Sequence, residues 1–152
     1  MVIGLRSFPD GFTYVILDGT QVTPKIIEKD RLSIPKNQPW PAILSWTRKQ
    51  IAEILEPYKL KSACIKIVEP MAQKKSAERF QIEAVLQEYL YSKRSINCTT
   101  RIKSQLKRDI NGFTDSARYI ERALTKTDIL AELNTPVYQE AAVAALSELP
   151  KN

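Results

Sequence analysis

The chain has 152 residues, a net charge of +6 and no histidine, and 43% of its residues are hydrophobic. The missing imidazole excludes a Ser-His pair, a histidine general base and a His-ligated zinc, so any chemistry rests on carboxylates or lysines. The length fits a single domain spanning residues 1–152 that buries its core without a disulfide or metal staple, and the basic balance permits a polyanionic partner. No apolar run nears the roughly 20 residues that span a bilayer, and no secretory signal is legible, so no membrane partner is expected. Cys64 and Cys98 fall in predicted strands and read as reduced, buried small hydrophobes, which points to a cytoplasmic protein.

Taken in chain order, residues 2–6 and 12–18 are predicted strands flanking Pro9-Asp10-Gly11. Arg6 is out of place at the end of the otherwise apolar run Val2-Ile3-Gly4-Leu5. Asp18-Gly19 reads as a second hairpin turn, into a third strand within 21–34. Pro35, Pro39 and Pro41 lead into a helix over 41–57, with Leu44, Ile51, Ile54 and Leu55 at helical spacing. Trp40 and Trp46 flank that helix and pack it to the sheet or mark a dimer contact. Residues 62–68 form a short strand. Ser76 caps a helix over 77–92 that is apolar over much of its surface and reads as central and well covered. Residues 96–101 are a strand, and SQLKRDI is a short helix stopped by Gly112. Thr114 or Asp115 caps a helix to about 126, with Ala117, Ile120 and Leu124 on one face. Thr135-Pro136 opens a last helix with Pro at N1, whose alanines let its backbone lie close to a sheet.

Three antiparallel strands followed by β-α-β crossovers give an α/β fold with a mixed five-stranded sheet, two of its strands parallel, flanked by helices. That order resembles the ribonuclease-H-like fold, and four stretches look most like its RuvC-type Holliday junction resolvase branch. Ile3-Gly4-Leu5-Arg6-Ser7 resembles the first strand of that family. ACIKIVEPMAQKKSAERFQIEAVLQEYL resembles its fourth strand, basic loop and central helix. TTRIKSQLKRDINGFTDSARYIERAL resembles its Lys-rich helix and Gly-containing loop, and TPVYQEAAVAALSEL its closing helix. In that family the first-strand position of Arg6 is a magnesium-binding aspartate, and a second acid stands on the fourth strand where this chain has Lys66. Glu140 keeps the position of the closing helix's last acid, whereas the earlier acid there falls on Val137 or Tyr138. Two metal ions need several carboxylates around them, and an arginine brings a charge that cannot be deprotonated.

The resemblance therefore implies a degenerate active site. It implies a protein that binds nucleic acid, branched DNA before other forms, and cleaves it weakly or not at all, more a non-enzyme than an enzyme. No metal and no other cofactor is expected on this reading, and a homodimer fits it. Candidate catalytic acids are Glu69, Glu83 and Glu140, and a network of Arg6, Lys66, Glu83 and Glu140 would occupy the old metal site. The bland alternatives are a rim ion pair for Glu83 and a helix-dipole contact for Glu140. Lys74, Lys75, Arg101, Lys103, Lys107 and Arg108 are the candidate phosphate contacts, or else a solvated basic surface. Tyr89, Tyr91 and Phe113 are candidate base-stacking residues or core. Two rival readings stand beside this one. One is an active magnesium-dependent endonuclease with relocated carboxylates, drawn from Asp10, Asp18, Glu69, Glu83 and Glu140. The other is a protein-interaction or assembly module that keeps only the scaffold.

Overall fold

The computed structural model describes residues 1–110 and 118–152. One five-stranded sheet runs in the order β3-β2-β1-β4-β5, with β1 at Val2–Phe8, β2 at Gly11–Gly19, β3 at Pro24–Ser33, β4 at Ser62–Lys66 and β5 at Asn97–Arg101. β1, β2 and β3 pair antiparallel, while β4 joins β1 and β5 joins β4 in parallel. The helices are α1 (Trp40–Leu55), α2 (Ala77–Ser92), α3 (Lys103–Asp109), α4 (Tyr119–Thr125), α5 (Asp128–Ala131) and α6 (Gln139–Glu148).

Strand alternation divides the core into two layers. Val2, Val15, Leu17 and Cys64 pack under α6 with residues of α3, α4 and α5. Ile3, Leu5, Phe12, Ile16 and Ile65 pack under α1 and α2. Gly4 belongs to the first set and has a packing reason: a Cβ there would lie 1.9 Å from the Ala141 carbonyl oxygen and 2.9 Å from the Ala145 Cβ. The alanines of α6 and the bare backbone of β1 thus meet directly. Trp46 sits 6.3 Å from Phe12, which ties α1 to the sheet.

Several predicted elements shift. Asp18-Gly19 makes no two-residue turn, because Gly19 ends β2 at φ +91° and residues 20–23 form the loop. Thr135-Pro136 is a turn ahead of α6, not its first turn: the Tyr138 and Gln139 amides donate to the Thr135 carbonyl, and the helix starts at Gln139. The short α5 has no counterpart in the sequence reading. α2 buries Ile82, Glu83, Leu86, Tyr89 and Leu90, yet Phe80 is 42% and Tyr91 82% exposed, so it is covered on one face only. Cys98 is only half-buried, and both cysteines are free. Gly112, Phe113, Thr114, Asp115 and Ala117 lie outside the described residues.

Candidate functional site

The parallel pairing of β1 with β4 makes Arg6 and Lys66 register partners at the C-terminal ends of their strands. Both side chains rise toward the first turn of α6, where Glu140 meets them. Arg6 Nε pairs with Glu140 Oε2, and Lys66 Nζ lies 3.6 Å from Glu140 Oε1. Lys66 is 2% exposed and also holds Glu69 Oε1 at 2.8 Å, while its ammonium donates to the Ile67 carbonyl at 2.8 Å. Glu69 accepts a further bond from the Lys103 amide at 2.8 Å, joining the loop after β4 to the start of α3. Burial pushes the Glu69 carboxyl up, but Lys66 and the Lys103 amide together outweigh it, and its pKa is lowered. Burial also works against the Arg6 charge; Glu140 supports it, while Arg79 and Arg31 oppose it, and the net direction is down.

Glu83 lies in a separate group on the other face. Ser7 follows Arg6 in β1, so its side chain points to α2. Its hydroxyl donates to Glu83 Oε2 at 3.1 Å, and the Val68 amide donates to the same oxygen at 3.3 Å. Arg79 Nε donates to Ser7 Oγ at 3.4 Å. Burial raises the Glu83 pKa, with Ser7, Arg79, the Val68 amide and Lys66 pulling the other way. The sequence-based network of four residues is thus corrected. Arg6, Lys66, Glu69 and Glu140 form one cluster, and Glu83 with Ser7 and Arg79 forms another beneath it. Ser7 was missed by sequence reasoning, although strand parity from Arg6 was signal enough.

The remaining predicted residues are spread around this end of the sheet. Lys74 and Lys75 are exposed on the loop before α2, and Lys103 and Arg108 are exposed on α3, with Lys107 half-buried beside them. Arg101 is tied inward, to Asp109 Oδ2 at 2.7 Å and to Glu148 at 3.9 Å. Asp10 pairs with Arg31 at 2.7 Å. Asp18 pairs with the N-terminal amine at the opposite end of β1. Tyr89 is buried under Arg48 and Lys93, each 5.0 Å from its ring centroid, so it belongs to the core and offers no face for stacking.

The donor set does not fit a divalent cation as it is arranged. Arg6 and Lys66 stand in the middle of the acids, and both Glu69 and Glu140 are already neutralised by them. Among the described residues no three acidic or thiol groups gather as a metal site.

No protein-family model matches this sequence, and no curated protein matches it significantly. Solved structures do. The chain shares the ribonuclease-H-like architecture, in its RuvC form. Thermus thermophilus RuvC in complex with Holliday junction substrate superposes with a TM-score of 0.74 at 8% identity, over 96% of this chain and 90% of that one. The fowlpox virus resolvase in complex with Holliday junction DNA gives 0.57 at 13% identity, over 98% of each chain. The yeast mitochondrial Holliday junction resolvase gives 0.64 at 10% identity, over 96% of this chain and 76% of that one.

Two expectations are corrected by these matches. The leaning toward a non-enzyme is corrected: the solved structures that share this fold are Holliday junction resolvases. The expectation of no cofactor loses its support with it, since it was drawn from the expected lack of an enzyme. No helix among the described residues is long and apolar enough to cross a membrane.

Proposed function

We propose that the chain is a nucleic-acid-processing enzyme that engages branched DNA, acting as one ribonuclease-H-like domain. The match over 96% of its length to a resolvase held on a Holliday junction carries this reading. The surface chemistry supports it. The Glu69–Lys103 contact holds the start of the basic helix α3 against the Arg6–Lys66–Glu140 cluster, and Lys74 and Lys75 follow Glu69 on the loop into α2. Lys74, Lys75, Lys103, Lys107 and Arg108 then contact phosphates flanking the cluster, and each such contact releases counterions. Arg101, already held by Asp109, positions the β5–α3 corner instead of reaching for DNA. Glu83, whose pKa burial raises, is held by the Ser7 hydroxyl, which Arg79 in turn supports. A cytoplasmic setting, with both cysteines kept as thiols, goes with this reading.

The test is a single gel experiment with end-labelled four-way junction and linear duplex of the same sequence, in magnesium, in manganese and with chelator. Junction-selective binding with cleavage that chelation abolishes supports the reading. Absence of binding at low salt overturns it and leaves an assembly scaffold. Tight binding without a cut under any ion overturns its enzymatic half.

A further inference from the structure

We propose that Arg6 and Lys66 form a seat for one phosphodiester, and that Glu140 occupies this seat as an internal competitor which the DNA phosphate displaces. The inference rests on the reading that the chain engages DNA, and it names the contact at the centre of the site.

Of the two acids, Glu140 is the more weakly held by Lys66. Glu69 Oε1 accepts from Lys66 Nζ and from the Lys103 amide, both at 2.8 Å. Glu140 reaches Lys66 only at 3.6 Å, and its other oxygen pairs with Arg6 Nε. Arg6 does not depend on Glu140 for its position. Its guanidinium lies 4.3 Å from the centroid of the Phe8 ring, which orients the fork from the side. Arg31 lies at the same distance from that ring.

Arg79 and Arg31 act on Arg6 as like charges, while Glu69, Glu83 and Asp10 balance Lys66, Arg79 and Arg31, so the charge an incoming anion has to replace is that of Glu140 itself. Tyr119 is 1% exposed, and its hydroxyl has no hydrogen-bond partner among the described residues, yet it lies near enough to Glu140 and Glu69 for both to raise its pKa. It is a spare donor beside the seat. Arg6 and Glu140 are 22% and 24% exposed, so the seat opens to solvent while Lys66 forms its floor. A phosphodiester presents two anionic oxygens to a guanidinium fork and an ammonium, the geometry in which such contacts are strongest.

The test compares the whole chain with Glu140→Gln, Arg6→Gln and the double variant on a labelled four-way junction, with Glu88→Gln as a control for loss of an acidic charge far from the seat. Glu140→Gln is expected to bind about tenfold tighter, the worth of one charge-assisted contact. Glu88→Gln should change binding less than twofold, and Arg6→Gln should erase the gain. A gain that survives in the double variant, or no gain in a folded Glu140→Gln protein, overturns the proposal. The wild-type protein gives an independent reading that needs neither DNA nor a variant. The NMR signal of Arg6 Nε–H is followed during titration with inorganic phosphate, against chloride at equal ionic strength. A saturable shift with phosphate alone supports the seat even if no junction is bound, in which case only the DNA reading fails. No shift at saturating phosphate overturns the seat.

Discussion

Arg6 on β1 and Lys66 on β4 are register partners bridged by one carboxylate, Glu140 of α6. Two cations of this kind, side by side at the ends of parallel strands, repel each other unless an anion joins them. The bridge therefore links sheet stability to whatever anion the site holds.

Lys66 is the first place to test that linkage. Truncation by Lys66→Ala leaves Glu69 and Glu140 without their shared ammonium and opens a void under α6. The expected loss is about 2–3 kcal/mol, below the usual cost of breaking a fully buried pair because both acids remain partly solvated. Lys66→Met, which keeps the stem, should lose less. Urea denaturation of the two variants checks the order, and an Ala variant as stable as wild type would show that the bridge carries no stability.

Gly4→Ala is expected to be among the most disruptive single-methyl changes in the chain. Its Cβ meets helix backbone, which has no rotamer with which to yield. The expected cost is about 3 kcal/mol, at the upper end of overpacking, with α6 pushed off β1. Glu140 moves with that helix, so junction binding should change along with the melting temperature. Val2→Ala, on the same face but away from the helix backbone, should lower stability without altering binding.

Glu83 and Glu69 should give opposite pH signatures. Glu83 has its folded pKa raised above the ordinary 4.5. The folded state then binds more protons than the unfolded chain between those values, and stability from this group falls as pH rises through the window. Glu69 has its folded pKa lowered, so its contribution is present above 4.5 and is lost as pH falls through the lowered value. Stability measured from pH 3 to pH 8 for Glu83→Gln and Glu69→Gln checks both signs. The Glu83→Gln protein should gain relative to wild type as pH rises above 4.5. The Glu69→Gln protein should lose relative to wild type over the acid side. A pH-independent difference in either case removes the corresponding assignment.

Salt dependence should separate the basic residues into two kinds. Lys107→Gln and Arg108→Gln together should lower the slope of log affinity against log salt by about 1–2, one unit for each phosphate lost. Arg101→Gln should leave the slope nearly unchanged and lower the melting temperature, because its half-buried charge is held by both Asp109 and Glu148, whereas Arg108, also against Asp109 at 3.3 Å, is 72% exposed. An equal drop in slope for all three would mean that Arg101 leaves Asp109 when DNA arrives.

Much of the scaffold was legible in the sequence because alternation and turn residues act locally. Arg6 at the end of an apolar strand, Ser76 as the cap of α2 and the alanines of the last helix each encode their own placement. Lys66 was brought to the Arg6 site by the resemblance to the RuvC-type branch, and β1 and β4 pair in parallel with the two residues in register. What was not legible depended on partners distant in sequence. Asp18-Gly19 looks like a tight turn, yet Gln21 is drawn to the Pro150 carbonyl and the loop widens. Arg101 reads as a free cation until α3 folds back and Asp109 takes it. Glu83 and Glu140 both read as members of one cluster, because the two faces of a strand separate only once Ser7 is seen to serve one and Arg6 the other. The leaning toward a non-enzyme came from two substituted positions, set against a fold that matches a solved resolvase over 96% of the chain.

The contact of Gly4 with Ala141 sets an order of events during synthesis. β1 leaves the ribosome well before α6, flanked by β2 as soon as the hairpin closes, but one face of its backbone stays bare until α6 has been made. Long-range contacts of this kind are slow to form and expose chain in the meantime. A nascent chain therefore holds Arg6 and Lys66 without Glu140, two uncompensated cations in a half-built sheet, beside whatever polyanion is near. On this ground polyphosphate or nucleic acid should speed the final docking of α6 in a refolding experiment, acting as a temporary counterion that Glu140 later replaces.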